Sequence, residues 1–201
     1  MEGEAAARPP RPFMGVKARR GASFRRDVKG DYLDVPSDPF LSAILSKQGD
    51  ETLLFADKVL KCTGTGKMKR CILMITGSAI YLVDPDADVL KRRIMLAAID
   101  KICLSKLCDN FFAVIVPSEY DCLMASTRKT EIVTVLVEAS KSRSEYEIGV
   151  VFSNRFEYRA AADMVKEVRF EEVDVPEQTD IICWYTELVW TSQIHGSNLR
   201  K

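Results

Sequence analysis

Four segments of this chain decide its fold: KGDYL at residues 29–33, ETLLFADKVLK at 51–61, KMKRCILMITGSAIYLVD at 67–84 and VLKRRI at 89–94. Their apolar runs are short, and turn sequences such as GTG and DPDAD close them. Short apolar runs between turn residues are typical of neighbouring antiparallel strands. The region after Glu51 is therefore predicted to be a strand meander that forms a sandwich or a small barrel.

The strand pattern continues along most of the chain. Six or so strands are predicted over Thr52 to Lys61, Cys71 to Thr76, Ala79 to Val83, Arg93 to Leu104, Phe111 to Pro117 and Asp121 to Ser126. Two more are expected over Glu147 to Phe152 and Val165 to Glu172, with FEYRA at 156–160 as a candidate for a third. Before the meander, a short helix is predicted, because Asp38 can cap it, Pro39 suits its first turn and Gly49 can end it.

The order of these segments resembles the tail homology 1 domain of class I myosins. IDKICLSKLCDNFFAVIVP at 99–117, RKTEIVTVLVEA at 128–139 and VVFSNRFEYRAA at 150–161 extend the resemblance, which covers roughly Phe24 to Glu172. The resemblance implies a mainly β (α+β) fold, a pleckstrin-homology-like antiparallel β-barrel with a capping C-terminal helix. It also implies a module that anchors a single-headed motor to anionic phospholipid.

The segment Thr130 to Arg143 carries two conflicting signals. Its β-branched side chains favour a strand, whereas Ile132, Leu136 and Ala139 recur with helical spacing. A helix is the prediction, because the resembled family has its helix here. After residue 173, the spacing of apolar residues in DIICWYTELVW predicts a short helix whose Trp184 and Trp190 pack back on the domain.

The chain is predicted to consist of three regions. Residues 1–28 are predicted to be a disordered basic arm, residues 29–173 the tail homology 1 domain, and residues 174–201 a tail with a short apolar helix. The formal net charge of the 201-residue chain is zero, but eight basic residues and one acid lie between Arg8 and Lys29, whereas eight acids and four bases lie between Arg155 and Asp180. Such a chain can present a basic face to a negatively charged surface.

Composition narrows the class of protein further. The six cysteines form no CxxC pair and most lie in apolar runs, so reduced, buried thiols are expected. No apolar run approaches the length of a membrane span, and neither a secretory signal nor a lipidation motif is evident. We expect a soluble, cytoplasmic protein that contacts membranes peripherally. Because 201 residues are too few for a motor domain, we expect a freestanding adaptor or a portion of a heavy chain.

Enzyme chemistry finds little support in the sequence. The only histidine, His195, lies in a polar tail, which argues against a hydrolase triad. No cysteine or histidine spacing fits a metal site, and no cofactor is predicted. KCTGTGKMK at 61–69 lacks the first glycine and the Ser or Thr of a phosphate-binding loop, where Lys61 and Met68 stand. A hairpin tip is the better interpretation.

The resemblance implies where a ligand binds. In pleckstrin-homology-like folds, the loop that joins the first two strands carries a basic cluster for phosphoinositide headgroups. The corresponding residues here are Lys58, Lys61, Lys67, Lys69 and Arg70, with no acid between residues 58 and 70. An alternative is that these cations only protect strand edges and aid solubility.

Secondary membrane contacts are predicted at Arg19, Arg20, Arg25, Arg26, Lys91 and Arg92. KGDYL is expected to be structural.

The leading hypothesis is a non-enzymatic membrane-binding domain that links anionic phospholipid to the actin cytoskeleton. Its partners would be an anionic phospholipid membrane, together with a myosin motor or actin cytoskeleton components. The alternative is a protein-interaction module that docks a cytoskeletal partner. Binding of single-stranded nucleic acid is the weakest hypothesis, because Phe24 is the only aromatic residue in the basic stretch from Lys17 to Lys29.

Overall fold

A computed structural model describes residues 30–50, 52–143, 147–172 and 186–194. Two α-helices and eleven strands form in this part of the chain. They are α1 (Pro39–Gln48), β1 (Leu53–Cys62), β2 (Met68–Thr76), β3 (Ala79–Asp84), β4 (Val89–Met95), β5 (Lys101–Leu104), β6 (Phe111–Ile115), β7 (Cys122–Ala125), α2 (Lys129–Arg143), β8 (Gly149–Phe152), β9 (Arg155–Ala161), β10 (Met164–Glu172) and β11 (Thr186–Ile194). Short 3₁₀ helices precede α1 and follow β4.

The strands form two sheets. Eight of them pair in the order β4-β3-β2-β1-β7-β6-β5-β8, and β11-β10-β9 form a second sheet. The mainly β prediction is confirmed, and the arrangement is compatible with a pleckstrin-homology-like fold. Two details of the predicted barrel need correction. Among the described residues the larger sheet is not closed by pairing of its end strands, and β8 pairs with β5 in parallel. A parallel pair needs a crossover connection, and α2 lies within the one that leads to β8.

Both faces of the larger sheet are covered. The inner face carries Phe55 and Leu73 and packs against α2 through Ile132 and Leu136. The outer face is covered in two places. Around Ala56, α1 packs against it, and at the far end of β1 the second sheet covers Cys62, Leu123 and Ala113 with Tyr158, Val168 and Phe170. The uncovered strip between these two places lies on β1 and β2.

The helices predicted before the meander and over Thr130 to Arg143 are confirmed. The Asp38 side chain accepts hydrogen bonds from the backbone N–H groups of Phe40 and Leu41, and Gly49 ends α1 with a φ of 68°. A carboxylate at this position satisfies N–H groups that otherwise lack partners. In α2, burial of one helical face against the sheet outweighs the strand propensity of its β-branched residues.

KGDYL has the structural role that was expected. The Asp31 carboxylate accepts hydrogen bonds from the backbone N–H groups of Leu33 and Val35. The φ of Gly30 is 96°, and a Cβ there would lie 2.2 Å from the carbonyl oxygen of Leu54. Only glycine fits this approach, which lets the segment pair with Ala56 of β1.

Other predictions have mixed outcomes. The helix predicted over residues 180–190 is wrong where the structure describes this segment, from residue 186 onward, because Thr186–Ile194 forms β11 and pairs with β10 in antiparallel register. The strand predicted over Arg93 to Leu104 is two strands separated by a 3₁₀ turn. The basic arm, Trp184 and His195 lie outside the described residues, as does the side chain of Trp190.

The thiols of Cys62, Cys71, Cys103 and Cys122 are free and buried, as expected, whereas Cys108 is exposed. Burial raises the pKa of Cys71 to about 11. No helix in the described part of the chain is both long and apolar enough to cross a bilayer.

Candidate functional site: the basic hairpin

Residues 58–70, here called the basic hairpin, comprise the paired ends of β1 and β2 and their connecting turn. The two strands pair in register up to Cys62 opposite Met68. In the turn, the N–H of Thr63 donates to the carbonyl of Lys67 at 2.8 Å, and the N–H of Gly66 donates to the carbonyl of Thr63 at 2.9 Å. The N–H of Lys67 donates to the Thr63 hydroxyl at 3.1 Å. These N–H groups are satisfied within the turn and do not form a phosphate cradle, in agreement with the predicted hairpin tip.

Strand alternation divides the five predicted headgroup cations between two faces. Side chains of paired residues in an antiparallel ladder share a face, and the face changes at each step along a strand. Lys61 pairs with Lys69 on the inner face. Arg70 pairs with Leu60 on the outer face, where Lys58 also lies. The remaining cation, Lys67, lies at the tip.

Three of the five cations have no carboxylate partner among the described residues. Lys58, Lys67 and Arg70 are exposed, and none of them forms an ion pair within this part of the chain. An unpaired surface cation loses only hydration when it meets a phosphate oxygen. These three side chains are thus available to an anion from solvent.

The inner-face cation Lys69 is already paired. Its ammonium donates to the Asp84 carboxylate at 2.7 Å, and Lys91 lies 3.6 Å from the same carboxylate oxygen. The hydrogen bond to Asp84 raises the pKa of Lys69, and the same bond lowers the pKa of Asp84. Asp84 therefore offsets part of the positive charge on this side of the hairpin.

Tyr120 lies beneath the remaining inner-face cation. The Lys61 ammonium is 5.5 Å from the centre of the Tyr120 ring, and the Arg92 guanidinium is 3.9 Å from it. Both distances allow a cation–π interaction. Lys61 is half-buried.

Arg92 does not lie on the surface where it was predicted. Its side chain is 5% exposed, and its Nη2 is 2.9 Å from a carboxylate oxygen of Glu119. Residue alternation along β4 turns Arg92 away from solvent, whereas Lys91 beside it stays exposed. Arg92 is therefore a structural ion-pair residue. The other secondary contacts, Arg19, Arg20, Arg25 and Arg26, lie outside the described residues.

Sequence reasoning missed three features of this site. The sequence DPDAD indicates a turn, but it does not indicate that Asp84 of β3 contacts Lys69 of the neighbouring strand β2. Nothing in the sequence near Tyr120 indicates that its ring contacts the cations of Lys61 and Arg92. Leu60 and Met68 are 43% and 36% exposed, and the alternation from Lys58 to Leu60 was the available signal that an apolar side chain lies beside the cations.

The described part of the chain is thus a mainly β domain whose exposed hairpin presents cations to solvent. The model of the unconventional myosin tail, described as actin- and lipid-binding, matches residues 19–185. The chain belongs to this family. Both of the function classes predicted from the sequence, membrane binding and cytoskeletal binding, fall within the family description.

Individual relatives agree with the family match. The chain is 32% identical over 168 residues to myosin heavy chain IB of Acanthamoeba castellanii, covering 80% of this chain and 15% of that protein. It is 30% identical over 167 residues to the myosin IB heavy chain of Dictyostelium discoideum, with the same coverage of both chains. The chain thus spans about a seventh of the length of these relatives. A domain of an unknown Leishmania infantum protein shares 18% identity over 50% of this chain and 93% of that one, with a TM-score of 0.42.

Proposed function

We propose that this domain binds anionic phospholipid membranes and that phosphoinositide headgroups contact the basic hairpin through Lys58, Lys61, Lys67, Lys69 and Arg70. The observation that carries the proposal is the set of exposed cations, Lys58, Lys67 and Arg70, that have no carboxylate partner in the described part of the chain. Several cations on one short hairpin suit a ligand with several phosphates, because each ammonium or guanidinium can bond a different oxygen.

Further cations contribute without lipid specificity. Lys91 is exposed beside Lys69 and shares its counter-ion Asp84. Arg19, Arg20, Arg25 and Arg26 of the N-terminal arm add diffuse attraction to the surface, at about 1 kcal/mol for each cation near an anionic leaflet. Arg92 is left out of the set, because Glu119 and Tyr120 already surround it.

Family membership supports the following biological role. The domain acts by binding and not by catalysis, and it works in the cytoplasm at the membrane surface. In the context of a class I heavy chain, it would hold the membrane while other parts of that chain supply the motor activity. The actin binding in the family description gives the tail a second contact with the cytoskeleton.

The test is a triple substitution on the hairpin. Changing Lys67, Lys69 and Arg70 to Ala should weaken binding to phosphoinositide-containing liposomes by about tenfold or more, because three cations are lost from the contact. The melting temperature should stay nearly unchanged, since Lys67 and Arg70 are exposed and form no ion pair within the described residues, and Lys91 stays beside Asp84 when Lys69 is lost. Liposome sedimentation and thermal unfolding measure the two effects.

The control removes equal charge elsewhere. Lys47, Lys106 and Lys141 are exposed and lie outside the hairpin, so their triple Ala variant tests whether net charge alone sets the affinity. Equal losses in both triple variants would show nonspecific attraction. An unchanged affinity in the hairpin variant would remove the hairpin from the proposed function.

A further inference from the structure

The uncovered strip on the outer face of β1 and β2 combines apolar and cationic side chains. Leu60 is 43% exposed and Met68 is 36% exposed. Leu60 pairs directly with Arg70, and Lys58 precedes Leu60 by two residues on the same face. Two large apolar side chains thus lie at the surface with a cation on either strand beside them.

Local packing explains why these apolar side chains stay uncovered. On one side of Leu60 the cross-strand neighbour is Arg70, and on the other side it is the small Ala125 of β7. Near the N-terminal end of β1, α1 covers Ala56, and at the C-terminal end of β1 the second sheet covers Cys62. Neither cover extends to Leu60, so its apolar surface remains in contact with water.

The charges around the strip favour one kind of partner. Lys58 and Arg70 have no ion pair within the described residues, whereas the acids at adjoining strand positions, Asp57 and Asp84, belong to the inner face. Asp57 is paired with Arg128 at 2.8 Å and Asp84 with Lys69. The outer strip is therefore apolar and cationic. A bilayer surface offers the matching combination, with phosphates above a hydrocarbon boundary.

We propose that Leu60 and Met68 enter the boundary between headgroups and acyl chains while Lys58 and Arg70 contact phosphates beside them. The inference rests on the proposed membrane-binding function and deepens it. The ligand of the hairpin is then the bilayer surface as a whole and not a headgroup alone. Apolar burial adds affinity that salt does not screen, in contrast to the contribution of the cations.

The experiment compares two double variants that are matched in exposure. Leu60→Ser with Met68→Gln removes the apolar contact and keeps every charge. Val151→Ser with Phe152→Gln is the control, because these residues are 42% and 45% exposed on β8, at the end of the sheet order and away from the hairpin. Each protein is titrated with phosphatidylcholine vesicles that contain a phosphatidylinositol bisphosphate, and separately with soluble inositol trisphosphate. Insertion is read as the rise in surface pressure of a monolayer of the same lipids.

The expected result separates insertion from headgroup binding. The Leu60/Met68 variant should bind vesicles roughly tenfold more weakly and raise the monolayer pressure less, with unchanged affinity for inositol trisphosphate. The Val151/Phe152 control should match the parent in all three measurements, and both variants should keep the parent melting temperature.

Other results would overturn the inference. Unchanged vesicle binding and monolayer pressure would do so while leaving the proposed function intact. An equal loss of affinity for vesicles and for inositol trisphosphate would show that the two side chains only position the cations. Loss of sedimentation with filamentous actin, with vesicle binding preserved, would assign the strip to a protein partner. A parent protein that binds neither lipid nor inositol trisphosphate would overturn the proposed function, and this inference with it.

Discussion

A basic side chain can bind an external anion fully only when no carboxylate of the same molecule competes for it. Lys69 and Arg70 are neighbours in sequence and look equivalent there, yet they differ in this respect. Lys69 bonds Asp84 on the inner face, whereas Arg70 is free of ion pairs within the described residues. Asp84 is thus an internal competitor of a lipid phosphate for Lys69 and Lys91.

Asp84→Asn should therefore strengthen lipid binding. Loss of the carboxylate frees one positive charge, which at about 1 kcal/mol corresponds to roughly fivefold tighter binding to phosphoinositide-containing liposomes. Sedimentation at fixed ionic strength measures the change. Glu147→Gln is the control, because this exposed acid pairs with Lys141 away from the hairpin. A variant that binds no more tightly than the parent, or only as much more tightly as the control, would rule out competition at Asp84.

The availability of individual cations could not be predicted from the sequence. The five hairpin cations were visible in the sequence, but the availability of each depends on cross-strand partners. The residue that faces each cation is determined by how the strands pair in the folded domain. The same is true of the burial of Arg92 against Glu119 and of the position of Lys61 near Tyr120. A sequence pattern gives the alternation of faces and not the residues on the neighbouring strands.

At the scale of elements, a buried polar cluster fixes the end of α1 to the sheet. Asp50, just after the helix, accepts hydrogen bonds from the hydroxyls of Ser78 and Tyr81. The Arg93 guanidinium lies 3.2 Å from the same carboxylate. Burial alone would raise the pKa of Asp50, but the hydrogen bonds from Ser78, Tyr81 and Arg93 outweigh it and hold the pKa below its ordinary value.

This cluster predicts an acid-dependent contribution to stability. Because the folded pKa is below the unfolded one, the Asp50 carboxylate stabilises the fold above the unfolded pKa, about 4. The contribution is lost as the pH falls through the folded value. Asp50→Asn should lower the free energy of unfolding by about 1 to 3 kcal/mol at pH 7, since charged hydrogen bonds are lost.

The measurement is thermal or urea unfolding of parent and variant between pH 7 and pH 3. The gap in stability should be constant above about pH 5 and shrink below about pH 4. Asp100→Asn, with a side chain 48% exposed, is the control and should show a much smaller gap. A gap for Asp50→Asn that does not change with pH would mean that the ionised carboxylate is not the stabilising species.

Local signals were sufficient for most elements, but not for the tail, for the break between β4 and β5 or for the pairing of β8. Caps and glycine marked α1, and short apolar runs between turns marked β1, β2, β3, β6 and β7. The helix prediction for the tail failed because helical spacing of a few apolar residues does not exclude a strand. Pairing with β10 makes this segment a strand. The parallel β5–β8 pair joins residues about 48 positions apart, from Lys101 to Gly149, and no local pattern specifies such a partner.

At the scale of the whole molecule, zero net charge conceals a separation of charge along the chain. Cations collect in the N-terminal arm and on the hairpin, and acids collect after Arg155. Within the second sheet some of those acids are paired internally. Glu167, for example, lies 2.6 Å from Arg155. In space, however, the second sheet lies beside the hairpin, because Tyr158 packs against Cys62 at the end of β1. Internal pairing of its acids therefore limits the negative charge next to the basic hairpin.

The basic arm and the basic hairpin should respond differently to salt. A polybasic arm attracts a membrane through diffuse fields that are screened over ~8 Å at physiological ionic strength, whereas close contacts at the hairpin are partly desolvated and less screened. Deletion of residues 1–26 should strongly reduce binding to phosphatidylserine liposomes at low salt. It should spare most of the preference for phosphoinositides over phosphatidylserine, because the hairpin remains. Titration of the parent and the deletion variant with phosphatidylserine and with phosphoinositide liposomes, at low and at physiological salt, measures both the affinity and the preference. If the deletion abolished the preference itself, the arm would be the recognition site, and the role proposed for Lys67, Lys69 and Arg70 would have to be withdrawn.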